Sequence, residues 1–261
     1  MLRLIAQEDE PLFYSLCQQD PVFGTILLTL YVSHRENWQQ FTAWIGLDGH
    51  RKPRYALCRY GHRYTLCAPQ GLTPFCQKEL TGFLGMEPEP WLEGEASLLK
   101  KMVSQTGWSL EMRDVLFHPH PSEAPSSPGI LACTAYSDMC RLICQAQHVD
   151  RQDWLSLMFP LFRDGMYHPF TMEESGKLIV CAITETAPGS STALFSSLVT
   201  DREYRSRGYG KAMILHMCAF CAKLGRIPYL VCGEQSLTSY YTPLGFRPCS
   251  MQYGLLRGNP M

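Results

Sequence analysis

Runs of apolar residues with two different periods alternate along the chain. Ala193 to Thr200 (Ala-Leu-Phe-Ser-Ser-Leu-Val-Thr) predicts a buried strand, and Ala212 to Leu224 repeats apolar residues at helical spacing, which predicts a helix ending at Gly225. Ile227 to Cys232 follows as a strand. Upstream, Ser137 can cap a helix carrying Met139, Leu142, Ile143 and Ala146, and Asp150 or Asp153 can start another carrying Trp154, Leu157, Met158 and Leu161. Pro160 should kink or end that second helix, because proline removes a backbone donor and crowds the preceding turn. Tyr167–Thr171 and Lys177–Glu185 read as strands. Near the C-terminus, Leu237, Tyr240 and Leu244 share one face of a short helix, which Pro243 should stop at or just before Thr242.

The first part of the chain has a similar mixture. A helix is expected around Pro11 to Gln18, a β-hairpin from Arg54–Tyr60 and Arg63–Ala68 across Gly61-His62, helices near Thr73–Leu84 and Glu95–Val103, and a strand from Leu110 to Phe117. Between the two parts, His118 to Gly129 holds four prolines and three serines and reads as a linker. The expected fold class is α/β (α+β). Residues 1–117 would form an N-terminal α+β domain, 118–129 a linker, and 130–261 a second domain with a mixed central sheet flanked by helices.

Composition narrows the function classes. The 261 residues suit two domains, and 46% hydrophobic with 18% charged residues at net charge −1 describes a globular chain without a polyelectrolyte tail. Nucleic acid and anionic membrane are therefore not expected as partners. Acidic residues by position 8 leave no room for a signal-peptide core, and the apolar stretch Phe23–Val32 is far short of a membrane span, so a cytoplasmic protein is expected.

The twelve cysteines lack the dense spacing of a disulfide scaffold. Cys218 and Cys221, like Cys140 and Cys144, lie on apolar helical faces and read as packing residues; a redox role would require an exposed, titratable pair. His118 and His120 have no neighbouring ligand cluster and read as solvated loop residues, so no metal is expected. Trp38, Phe41, Trp44 and Ile45 read as core, and His50-Arg-Lys-Pro-Arg54 as a solvated loop.

The candidate chemistry lies in Arg205-Ser206-Arg207-Gly208-Tyr209-Gly210-Lys211, which turns the strand into the helix. The first turn of a helix presents unpaired N–H groups and a positive dipole end, which favour a phosphate or pyrophosphate. A dinucleotide fingerprint would need glycine at Met213, and a P-loop would need four residues between its glycines. Arg-x-x-Gly-x-Gly instead resembles the coenzyme A pyrophosphate loop of the GNAT acyltransferase superfamily. Val199–Arg205 resembles that family's approach to the loop, and Tyr241-Thr-Pro-Leu-Gly-Phe246 resembles its terminal Tyr-x-x-Leu-Gly-Phe element. The resemblance covers roughly Thr134 to Arg257.

This resemblance implies a GNAT-type N-acetyltransferase using acetyl-CoA on a primary amine of a small molecule or amino-acid-like acceptor. It implies that the backbone of Ser197, Leu198 and Val199 holds the pantetheine arm, and that the amides of Arg205, Ser206, Arg207, Gly208, Tyr209, Gly210 and Lys211 hold the pyrophosphate, with Arg205, Arg207 and Lys211 as countercharge. Tyr241 would protonate the departing thiolate, with Tyr240 as the fallback. The helices before the central strand would close over the acceptor.

Two departures stand out: Glu234 and Leu237 replace an asparagine and an alanine common in the family, and Pro243 interrupts the terminal element. The central strand also lacks the family's glutamate, having Phe195, Ser196 and Ser197 there, which leaves Glu185 on the neighbouring strand as the candidate base. The first segment has no such loop; it is compatible with a degenerate copy of the fold that does not bind coenzyme A in the same manner. Homodimerisation is left open. The alternative function is a non-catalytic acyl-CoA-binding or partner-binding module.

Overall fold

In the computed structural model, which describes all residues except 38, 123–128, 134, 135, 234 and 259–261, the predicted strands join one mixed sheet. The first part contributes β1 (Leu2–Leu4), α1 (Glu10–Cys17), α2 (Phe23–His34), β2 (Phe41–Leu47), β3 (Pro53–Tyr60), β4 (Arg63–Cys67), α3 (Pro74–Leu84), β5 (Trp91–Glu95), α4 (Ala96–Thr106) and β6 (Ser109–Phe117). The second contributes β7 (Ile130–Ala132), α5 (Tyr136–Gln147), α6 (Arg151–Arg163), β8 (Tyr167–Glu174), β9 (Lys177–Thr186), β10 (Thr192–Thr200), α7 (Tyr209–Lys223), β11 (Ile227–Cys232), α8 (Gln235–Tyr241) and β12 (Arg247–Arg257). Strand, two helices, three strands, helix, strand, helix, strand: the same order of elements occurs twice.

The sheet order is β1-β2-β3-β4-β5-β12-β6-β11-β10-β9-β8-β7. It is antiparallel except where β4 meets β5 and β10 meets β11. The last strands of the two parts are exchanged. β6 lies between β11 and β12, and β12 lies between β5 and β6, so each half-sheet is completed by the other half's final strand. Half of the junction 118–129, residues 123–128, lies outside the described residues, but His118 at its start is half buried rather than solvated. Its N–H donates to the Pro228 carbonyl at 2.9 Å, which prolongs β6 along β11, and its ring meets Phe246 edge-on at 5.2 Å.

Helices cover both faces. One core, centred on Phe13, Phe23, Leu27, Phe41, Ile45 and Tyr229, packs α1 and α2 against strands of both parts; another seats α7 through Met213, Ile214, Met217, Cys218 and Cys221. Phe41 and Ile45 are thus core residues, as expected, whereas Trp38 lies outside the described residues. The N-terminal end of α2 is bolted to the second part. Thr25 Oγ1 lies 2.9 Å from Thr192 Oγ1, and the Tyr229 hydroxyl donates to the Val22 carbonyl at 3.0 Å. Gly24 faces the Cys17 carbonyl so closely that a β-carbon would overlap it, and this lets α1 and α2 approach.

Helix α6 runs through Pro160 to Arg163 instead of ending there. The lost donor is offset by anchoring on both sides: Trp154 and Leu161 are buried, and the Asp164 N–H closes the last turn on the Pro160 carbonyl at 2.9 Å. Cys218 and Cys221 are unbonded and buried, which pushes both thiols up to about 12 and away from thiolate chemistry. Among the described residues there is no cluster of metal-ligating side chains, and no helix is long and apolar enough to cross a membrane.

Candidate active site

The site begins where β10 parts from β11. The two strands pair only over Thr192–Leu194 and Ile227–Tyr229; beyond that, β10 continues to Thr200 and β11 to Cys232 without paired registers. On its other edge β10 pairs with β9, but the register shifts between Ser196 and Val199, with Ser197 in the left-handed region at φ 52°. This bulge bends the strand away from β11 and opens a V into which the backbone of residues 195–198 faces. Ser197 and Leu198 line the resulting cavity, whereas the Val199 side chain is buried in the core beside β9.

At the open end of the V the chain turns into α7. Ser206 and Gly208 are both left-handed, at φ 63° and 86°, and the first helical bond runs from the Ala212 N–H to the Gly208 carbonyl at 3.0 Å. The N–H groups of Tyr209, Gly210 and Lys211 therefore precede the first rung, and Gly208 supplies no capping side chain. Gly208 has open space where a β-carbon would stand, so its requirement is conformational; at Gly210, a β-carbon would sit 3.1 Å from the Tyr240 hydroxyl. The cations are tethered. Arg205 Nε donates to the Thr200 carbonyl at 3.1 Å, and Arg207 donates to the Glu203 carbonyl at 3.0 Å while lying over the Tyr204 ring. Tyr209 turns aside to donate to Glu174 at 2.8 Å.

The equivalent turn of the first part is closed. There, β4 leads into α3 through Thr73, whose hydroxyl accepts from the Cys76 N–H at 3.2 Å, and Pro74 has no N–H to offer. The pairing of β3 with β4 is also continuous, without the bulge of β10.

Inward from the V lies a cavity of about 520 Å³, within the range of small-molecule sites. Tyr241 lines it, packed 5.7 Å from the Phe246 ring, and burial pushes its phenol up to about 12, so it stays protonated at neutral pH. Tyr240 is absent from the cavity wall and sits over the first turn of α7. The helix carrying both residues does stop at Tyr241, before Pro243.

Glu185 also lines the cavity. It stands opposite Leu194 on β10 and Tyr167 on β8, just before the strands diverge. Burial raises its carboxyl from 4.5 to about 7, with Ser196 and Tyr167 drawing it partly back.

The far wall comes from elements that local patterns did not connect with the site. Ile26 and Leu30 of α2, with Arg63, Glu93, Arg113 and Tyr253 from β4, β5, β6 and β12, face the same cavity as Glu185 and Tyr241. Of α5 and α6, only Gln147 and Leu157 reach it. In the sequence, Glu93 and Arg113 look like the polar residues of half-exposed strands. Only the strand exchange turns them inward together.

Residues 135–246 match the acetyltransferase (GNAT) family model. This stretch is a GNAT acetyltransferase domain. Solved structures extend the likeness in fold over the whole chain. A Drosophila protein aligns with a TM-score of 0.68 at 12% identity, over 99% of this chain and 98% of its own. A tandem GNAT protein from the clavulanic acid biosynthesis pathway, solved without acetyl-CoA, aligns at 0.65 and 12%, over 100% and 99%. A GNAT-family protein described as an acetyltransferase from Novosphingobium aromaticivorans aligns at 0.52 and 21%, over 76% and 84%. No curated protein matches the sequence.

Proposed function

We propose that the chain transfers an acetyl group from acetyl-CoA to a primary amine of a small-molecule or amino-acid-like acceptor. The observation that carries this reading is the uncapped N-terminus of α7 at the mouth of a V-shaped gap, with Tyr241 and Glu185 together in the cavity behind it. The donor fits these residues. Its pyrophosphate would take the free amides of residues 209–211, with the tethered arginines as countercharge, and its pantetheine arm would take the free edge of β10 at Ser197 and Leu198.

Acetyl-CoA supplies the activated acyl group as a thioester. The chain's own residues then handle two protons. Glu185, ionised near neutral pH, accepts a proton from the acceptor amine directly or through water, and Tyr241 Oη donates one to the departing sulfur. The family's central-strand glutamate is replaced in function by a carboxylate one strand away, on the same face of the sheet. Ile26, Leu30 and Leu157 give the cavity an apolar side beside Glu185 and Tyr241.

The test is thiol release from acetyl-CoA on addition of a library of primary amines. Amine-dependent release supports transfer. Binding of acetyl-CoA with no release across the library would point instead to a non-catalytic acyl-CoA-binding module.

A further inference from the structure

The cavity wall facing β10 carries a charge pattern that acyl transfer alone does not require. Arg113 on β6 stands opposite Tyr253 on β12, and Glu93 on β5 stands opposite Leu255 on the other side of the same strand. Arg63 begins β4 opposite Trp91 and stacks on its ring at 4.5 Å. From the rim, Glu111 meets Arg113 Nε at 2.8 Å and approaches Arg257 at 4.0 Å, and Arg257 covers Trp91 at 4.3 Å. Three guanidinium groups thus face two carboxylates, Glu93 and Glu111, leaving one positive charge in excess. Glu185, at the other side of the cavity, carries the opposite sign when ionised.

Arg113 lines the cavity beside the open end of the V. The pairing of Asp114 with Cys232 puts Arg113 beside Gly233, where its Nε and Cδ lie 3.7 and 3.8 Å from the point at which a side chain would begin. This is the tip of β11, the arm of the V that faces β10. Its ion pair with Glu111 uses Nε alone; among the described residues its two terminal nitrogens have no hydrogen-bond partner, and the buried Glu93 carboxyl acts on the guanidinium only through space. A guanidinium presents such nitrogens in a planar fork that matches a carboxylate.

We propose that the acceptor is an amine that also carries a carboxylate, an amino acid by class, and that Arg113 reads the carboxylate. Its amine then lies toward Glu185. The delivery of the amine rests on the acyl-transfer reading, whereas the carboxylate contact rests on the cavity wall. Arg113 is a specificity-determining residue here, because an analogue without the negative charge would leave the two terminal nitrogens of its half-buried guanidinium without a carboxylate.

The test titrates coenzyme A-loaded protein calorimetrically with the proteinogenic amino acids and their carboxamides. Binding of at least one amino acid is expected, with its carboxamide weaker by about tenfold or more, the scale of one charged hydrogen-bonded contact. Arg113→Gln should remove that preference and leave carboxamide binding unchanged, with melting temperature reporting its fold. Arg113→Lys should restore part of it, and Glu111→Gln, which keeps the guanidinium, should retain it. Equal binding of acids and carboxamides, no binding of any amino acid, or an equal loss of both in Arg113→Gln would overturn the assignment. Thiol release from acetyl-CoA separates the two proposals: amino-acid binding without release counts against transfer alone, and release with uncharged amines but no amino acid counts against the carboxylate alone.

Discussion

A carboxyl group in apolar surroundings resists ionisation, and at Glu185 this links activity to stability. Its value of about 7 means that a base at this position is lost as pH falls through neutrality, so kcat/KM should decline below about pH 7. In Glu185→Gln that limb should vanish along with most of the rate; an unchanged pH profile would exclude Glu185 as the base. The same shift has an opposite sign for folding. Because the folded pKa lies above the unfolded 4.5, the native state loses up to about 3 kcal/mol as pH rises between them. Glu185→Gln should therefore be more stable than wild type at pH 8 and no more stable near pH 4, as denaturant midpoints would show. Tyr241→Phe keeps the ring and removes the proton donor. A fall in turnover of roughly 10²-fold or more with acetyl-CoA affinity preserved would support the acid role, whereas full activity would refute it.

At the level of elements, α1 and α2 set the position of one cavity wall, the proposed acceptor side, since Ile26 and Leu30 of α2 line the cavity. Gly24→Ala inserts a methyl where the Cys17 carbonyl already lies. Overpacking of this kind costs about 1–3 kcal/mol, so the melting temperature should drop and acceptor KM should rise while acetyl-CoA affinity holds. Weakened acetyl-CoA binding in the same variant would show that α2 supports the donor site instead. Strong local periods made β10, α7 and the hairpin of β3 and β4 legible in the sequence, and the loop from Arg205 to Lys211 stood out because glycines and cations interrupt that pattern. Helix α6 does not end at Pro160, one of the two outcomes expected there, because burial of Leu161 anchors the turn beyond it. Glu93 and Arg113 were missed for a different reason. Their place in the site follows from the pairing of β6 with β11 and β12, a long-range contact that no alternation of residues within one strand encodes.

For the molecule as a whole, the exchange of β6 and β12 makes each half-sheet depend on the other. A protease site introduced at the largely exposed residues 119–122 should be cleavable without loss of the fold, leaving two fragments that co-elute in gel filtration and separate only in denaturant; fragments that part under native conditions would contradict the exchange. The two halves share an order of elements but not an open helix N-terminus, because α3 is closed by Thr73 and Pro74 while α7 is uncapped; one acetyl-CoA site per chain is therefore expected. Calorimetric titration with acetyl-CoA, on wild type and on Gly208→Asp, tests this most directly. Asp tolerates the left-handed backbone better than most residues and meets no neighbour there, so the fold should survive while the negative charge opposes the pyrophosphate. The expected result is one site per chain, weakened at least about tenfold, or ~1.4 kcal/mol, in Gly208→Asp and much less in the isosteric Gly208→Asn. Two sites per chain, or an affinity that Gly208→Asp leaves unchanged, would contradict it.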